Sequence, residues 1–82
     1  MLNLYTIRDK KADYYDKPWT ARTDAEAVRS LAQLVNSGSD NALVKNPEDF
    51  SLHRIGQFDE QSGMLGNVTQ DFIVELASLK KE

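Results

Sequence analysis

Thr23 to Asn36, TDAEAVRSLAQLVN, is the stretch that most constrains this chain. Val28, Leu31 and Val35 recur at helical spacing, and Ala27, Ala32 and Leu34 widen the apolar stripe. Arg29 and Gln33 fall off the stripe and face water. Thr23 can accept from an otherwise unpaired backbone N–H of the first turn. Thr23-x-x-Glu26 has the capping-box spacing. Asp24 and Glu26 put negative charge at the positive end of the helix dipole. Asn36, Ser37 and Gly38 form a stop signal. The acidic start and the single Arg29 argue against a helix that reads a DNA groove. This is a packing helix, and it needs something to pack on.

The rest of the chain supplies a sheet. Leu2 to Ile7 alternates with both sides partly apolar, which suits an inner strand. Ala12 to Arg22 reads as an extended second segment, with Pro18 at an edge, bulge or break. Tyr15 and Trp19 share a parity there, and Tyr14 has the other if pairing is unbroken. Ala42-Leu43-Val44 fits a short docked piece, and Pro47 with Glu48 and Asp49 opens one helical turn. Phe50 to Phe58 alternates as a strand. Asp59 to Gly63 is a polar loop and Met64-Leu65-Gly66 the returning arm of a hairpin. Residues 70–79 admit two readings. Phe72-Ile73-Val74 favours a strand. Thr69 can instead cap a helix with Phe72, Leu76 and Leu79 on one face. Gly56 and Gly66 mark bulges or bends, or the close approach of another backbone or ligand.

The expected architecture is one α+β domain over residues 1–82: an antiparallel sheet of about four strands, with the main helix across one face. One helix cannot cover both faces. Tyr5, Ile7, Tyr15, Ile55 and Ile73 are expected to carry the apolar surface left over. A symmetric homodimer would bury such a face, and a chain this short is marginal as a monomer.

Several chemistries are disfavoured. Without cysteine there is no disulfide framework and no thiolate metal site, and His53 is the single histidine. The carboxylates show no metal-site spacing, so no metal and no cofactor are expected. His53 has no Ser or Cys motif to support a general-base role. The chain is not expected to be an enzyme. No apolar run approaches the roughly 20 residues that span a bilayer. MLNLYTIRDKK lacks a signal peptide's order, so a cytosolic location is expected.

Net charge is −3. Residues 1–41 carry six Lys/Arg against six Asp/Glu, and residues 42–82 four against seven. Nucleic-acid binders usually show a basic surplus, so any such surface here is local. The candidate is Lys10, Lys11, Tyr14, Tyr15, Lys17, Trp19 and Arg22. Aromatics among cations suit single-stranded nucleic acid, because bases stack on rings while cations meet phosphates. The plainer reading is half-buried strand aromatics with wet polar tips, and Asp13 and Asp16 interrupt the run. A neutral or acidic surface around Tyr14 to Trp19 would favour a protein partner instead.

Leu4-Tyr5-Thr6-Ile7 with Asp9-Lys10-Lys11-Ala12, Tyr14-Tyr15, Pro18-Trp19 and Ala21 to Arg29 form an ordered run of short motifs. Asn46-Pro47-Glu48-Asp49-Phe50, Ile55 to Glu60 and Ser62-Gly63 continue it. This run, from about Leu4 to Gly63, resembles the small non-structural protein of gokushoviruses, Microviridae phages with single-stranded circular DNA genomes. The resemblance implies a non-structural phage protein of the host bacterial cytoplasm. It also implies a part in genome replication or the switch to packaging, which makes DNA binding plausible and a phage or host replication or packaging protein a candidate partner. It brings no catalytic motif.

Overall fold

The computed structural model describes residues 1–81. Its strands are β1 (Leu2–Asp9), β2 (Tyr14–Tyr15), β3 (Trp19–Ala21), β4 (Phe50–Asp59), β5 (Met64–Gly66) and β6 (Asp71–Glu75). Its helices are α1 (Asp24–Val35) and the short α2 (Ala42–Lys45), with 3₁₀ turns at Pro47–Asp49 and Leu76–Leu79. The six strands form one antiparallel sheet rather than the expected four or so. The difference lies in the edges. β1 and β4 pair along their length, and β2 and β3 share the outer edge of β1. β5 and β6 share the outer edge of β4. The sheet is thus four lanes wide, with both outer lanes broken in two. Pro18, which has no N–H to donate, falls in one break. Short, interrupted edges are poor templates for adding another strand.

The α1 helix connects β3 to β4, which run parallel with β1 between them. Parallel strands require a crossover, so α1 must lie across one face. Thr23 Oγ1 accepts from Glu26 N–H at 3.1 Å, as its spacing predicts. Ala27, Leu31 and Val35 are buried, while Arg29 and Gln33 are exposed. Beyond the helix, the Asn36 side chain donates to the carbonyls of Ala32 and Leu79 and accepts from Lys81 N–H. The stop signal therefore also ties down the C-terminal segment.

The core lies between α1 and the sheet and is built on Tyr5, Ile7, Leu52 and Leu76. This corrects the expected use of the faces. Tyr5 and Ile7 are covered, not left over, and Ile73 packs against the same core. Tyr15 remains on the uncovered face, and Ile55 is half-buried at a bulge where the β1–β4 register shifts. Residues 70–79 take the strand reading over Asp71–Glu75; Thr69 caps no helix there, Phe72 lies in the strand, and a 3₁₀ turn at Leu76–Leu79 follows and buries Leu76. A Cβ on Gly56 would lie 3.2 Å from the Gly66 carbonyl oxygen, so Gly56 accommodates both the bulge and a close backbone. Gly66 itself has open space.

Candidate functional site

Side chains alternate across a strand, so the parity that buries Tyr5 and Ile7 sends Leu4, Thr6 and Arg8 to the opposite face. No helix covers that face. Register carries the same parity outward: Arg8 lies opposite Tyr15 and Ser51, and Thr6 lies opposite His53, which lies opposite Phe72. Three rings therefore line up across the lanes. Tyr15 and His53 have centroids 5.8 Å apart at 77°, and His53 and Phe72 5.8 Å apart at 73°. Edge-to-face contacts of this kind are favourable for aromatic quadrupoles. Tyr15 is 45 % exposed and Phe72 56 %. Beneath the row, Thr6 and Ser51 are buried although polar. Thr6 Oγ1 donates to the Asp16 carbonyl at 2.7 Å, which holds the kinked outer lane against β1. Ser51 Oγ and His53 Nε2 share a hydrogen bond of 2.8 Å. With Ser51 3 % exposed, its hydroxyl cannot present itself to a substrate.

Arg8 and Lys10, beside the row, are each paired with a carboxylate. The Arg8 guanidinium is 5.9 Å from the Tyr15 ring centroid, within cation–π range. Its Nη2 donates to Asp13 Oδ1 at 2.9 Å, and its Nε is buried without a hydrogen-bond partner. Lys10 Nζ donates to Glu75 Oε2 at 2.5 Å. Burial pushes the His53 pKa below its usual 6.5, the Arg8 charge pushes the same way, and Glu75 opposes them. The net direction favours the neutral imidazole.

The seven residues expected to form a site separate into three groups. Lys10, Lys11, Tyr14 and Tyr15 gather at the end of the sheet where β1 turns into β2, with Lys17 just beyond them in the break before β3. Tyr14 is exposed but borders a cavity of about 210 Å³ lined also by Ile7, Leu43 and Phe50, on the helix side. Trp19 is half-buried with its ring 6.1 Å from Tyr5, so it packs on the covered face. The expected shared face of Tyr15 and Trp19 fails because pairing breaks between β2 and β3. Arg22 follows Ala21, which pairs with Asn3 at the far end of β1. Five residue steps along the strand, about 17 Å, separate Asn3 from Arg8. His53, Phe72 and Arg8 were not expected. The signal available for them was the parity of Phe72 with His53 and Tyr15, hidden by bulges in β4 and β6.

A second polar region is a network at the start of α1. The Tyr5 hydroxyl donates to Asp24 at 2.5 Å, and Arg54 binds Asp24 at 2.8 Å and Asp71 at 3.0 Å. Thr69 donates to Asp71, and Asn3 donates to the Tyr5 oxygen. Gln57 donates to Asn3 and accepts from Asn67. Asn3, Arg54, Gln57, Asn67, Thr69 and Asp71 border a groove of about 470 Å³. Burial and the Asp24 carboxylate push the Tyr5 pKa up to about 12. Arg54 holds the Asp71 carboxyl below the usual carboxylate range, helped by Thr69. The donors and acceptors satisfy one another, which fits a structural lock between β1, β4, β6 and the helix N-terminus. Among the described residues no three His, Asp or Glu side chains converge as metal ligands. Nor, among the described residues, is any helix long and apolar enough to cross a membrane.

One family model matches this chain, that of the Phage ORF5 protein, over residues 2–79. No curated protein and no solved structure matches it.

Proposed function

We propose that this chain, which belongs to the Phage ORF5 protein family, is a non-enzymatic accessory protein that binds single-stranded DNA on its uncovered sheet face. In this reading it serves a gokushovirus in genome replication or the switch to packaging, in the host bacterial cytoplasm. The observation that carries the reading is the row Tyr15–His53–Phe72, exposed at both ends across a bare antiparallel sheet. Bases have apolar faces of ring size, and a base stacked on an aromatic side chain contributes about 1–3 kcal/mol, judged by alanine substitution. A duplex keeps those faces stacked internally and cannot offer them. Lys10, Lys11 and Lys17 lie near the Tyr15 end, and the last two form no ion pair among the described residues. Trp19 and Arg22 drop out of the interface.

The test is fluorescence anisotropy with a labelled oligothymidylate and a duplex of equal length, at low and near-physiological salt. The reading requires saturable binding of the single strand in preference to the duplex. Absence of binding to either, even at low salt, overturns it. Lys10→Ala with Lys11→Ala weakens binding without unfolding the domain; unchanged affinity removes both from the interface.

A second reading is contact with a protein, either a second copy of this chain or a phage or host replication or packaging protein. Charge matching at Arg8–Asp13 and Lys10–Glu75 favours it. So do the exposed Met1, Met64, Leu65 and Val68, of which Leu65 pairs with Phe58 at the far end of the same sheet. Sedimentation equilibrium of the whole chain separates monomer from homodimer.

A further inference from the structure

We propose that Arg8 and Lys10 form a phosphate subsite beside the aromatic row, and that Asp13 and Glu75 are resident acceptors which a DNA phosphate displaces. This rests on the stacking reading above and adds to it where the backbone runs and what restrains its affinity. The geometry begins with register. Arg8 and Glu75 lie on either side of Ser51 on the uncovered face, because Arg8 pairs with Ser51 and Ser51 with Glu75. Lys10 reaches back from the β1–β2 turn to Glu75. Both cations thus border the Tyr15–His53–Phe72 row along one side. A base on the row would place its sugar and phosphate within the reach of one side chain or the other.

Both acceptors are of a kind that exchanges readily. Asp13 is held on Arg8 by the turn itself: its φ is +59°, and its N–H donates to the Asp9 carbonyl at 2.8 Å. Its side chain is 81 % exposed. Glu75 and Lys10 are 44 % and 37 % exposed. Exposed ion pairs contribute little, because water and salt screen them. A phosphate presents the same geometry to a guanidinium as a carboxylate does, in a charge-assisted pair. On the Arg8 guanidinium, the exchangeable contact is the Nη2 bond to Asp13, since Nε is buried. The domain therefore carries on itself the anions that occupy its own phosphate contacts. This accounts for cations near an aromatic face on a chain whose net charge is −3.

The experiment is anisotropy with a fluorescein-labelled oligothymidylate, titrated at several salt concentrations between about 50 and 200 mM. The proteins are the whole chain and its Asp13→Asn, Glu75→Gln, Glu26→Gln and Tyr15→Ala variants. Asn tolerates positive φ and Gln preserves the shape of Glu, so both variants fold. The expected result is an affinity gain of about twofold to fivefold for each of Asp13→Asn and Glu75→Gln, the range one exposed ion pair spans. The wild type contacts the same phosphates after displacement, so the log–log salt slope should change by less than the roughly 0.7 that one added phosphate contact carries. Glu26→Gln, on the exposed side of α1, makes the same change in net charge and should leave both unchanged. An equal gain in Glu26→Gln would reduce the effect to overall charge and overturn the subsite. So would wild-type binding that Tyr15→Ala weakens while Asp13→Asn and Glu75→Gln leave affinity unaltered; stacking would then stand without the subsite. If neither wild type nor the two unmasked variants bind, both readings fail together.

Discussion

The two faces of the sheet are made from the same strands and treat polar groups in opposite ways. On the covered face, Tyr5 and Arg54 are polar groups locked to named partners at the helix N-terminus, around a core of Ile7, Leu52 and Leu76. On the uncovered face the polar groups, Thr6 and Ser51, are the buried ones, and the rings of Tyr15 and Phe72 are half in water. A folding core ordinarily has the reverse arrangement, with apolar groups inside. One face is closed by the chain's own helix, and the other is the face proposed above to take an occupant. Each prediction that follows either separates the faces further or collapses the distinction.

The largest effect belongs to the covered face. Leu52→Ala removes a fully buried side chain and should destabilise the domain by about 3 kcal/mol, read as a lower urea midpoint with an unchanged m-value. Thr23→Ala should cost about 1 kcal/mol through the lost helix cap. Tyr5→Phe should cost a similar amount by leaving Asp24 one donor short. Phe72→Ala, on the uncovered face, should cost only about 0.5 kcal/mol while weakening DNA binding. A loss equal to that of Leu52→Ala would mean that Phe72 is covered in solution, and would favour a second copy as the occupant.

The smallest effect is in pH. His53 is held below its usual pKa of 6.5 by burial and by Arg8. As pH falls, the unfolded chain takes up this proton first. The stability contribution is complete above about pH 6.5 and declines below it, toward the lowered folded value. Thermal melts between about pH 7 and pH 5.5 should show this decline, and His53→Gln should flatten it. An identical slope in the variant would place the titrating group elsewhere.

What could be read from the sequence follows from how local each signal is. The α1 helix, its Thr23 cap and its exposed Arg29 and Gln33 are encoded within a few turns, and they appear as expected. So does the β4–β5 hairpin, whose turn lies between its own arms. The covered face was not legible, because β1 is apolar on both sides. What chooses Tyr5 over Leu4 is Asp24, nineteen residues away, and Arg54 beyond it. The candidate site was half legible. Tyr15 and Lys10 were visible in a local run of aromatics and cations. Their partners His53, Phe72 and Glu75 come from strands 38 to 65 residues on, through bulges that shift the parity. Trp19 was misplaced for a related reason: alternation holds only while pairing continues, and it stops at the Asp16–Pro18 break.

The most direct measurement of the central claim is a ¹⁵N–¹H shift map of the whole chain titrated with oligothymidylate. Perturbations concentrated at Arg8, Tyr15, His53 and Phe72, with Arg29 and Gln33 on the outer side of α1 unmoved, are the predicted result. Shifts centred on α1 or on Arg22, or a spectrum unchanged at saturating oligonucleotide, would contradict the account and leave the uncovered face to a protein.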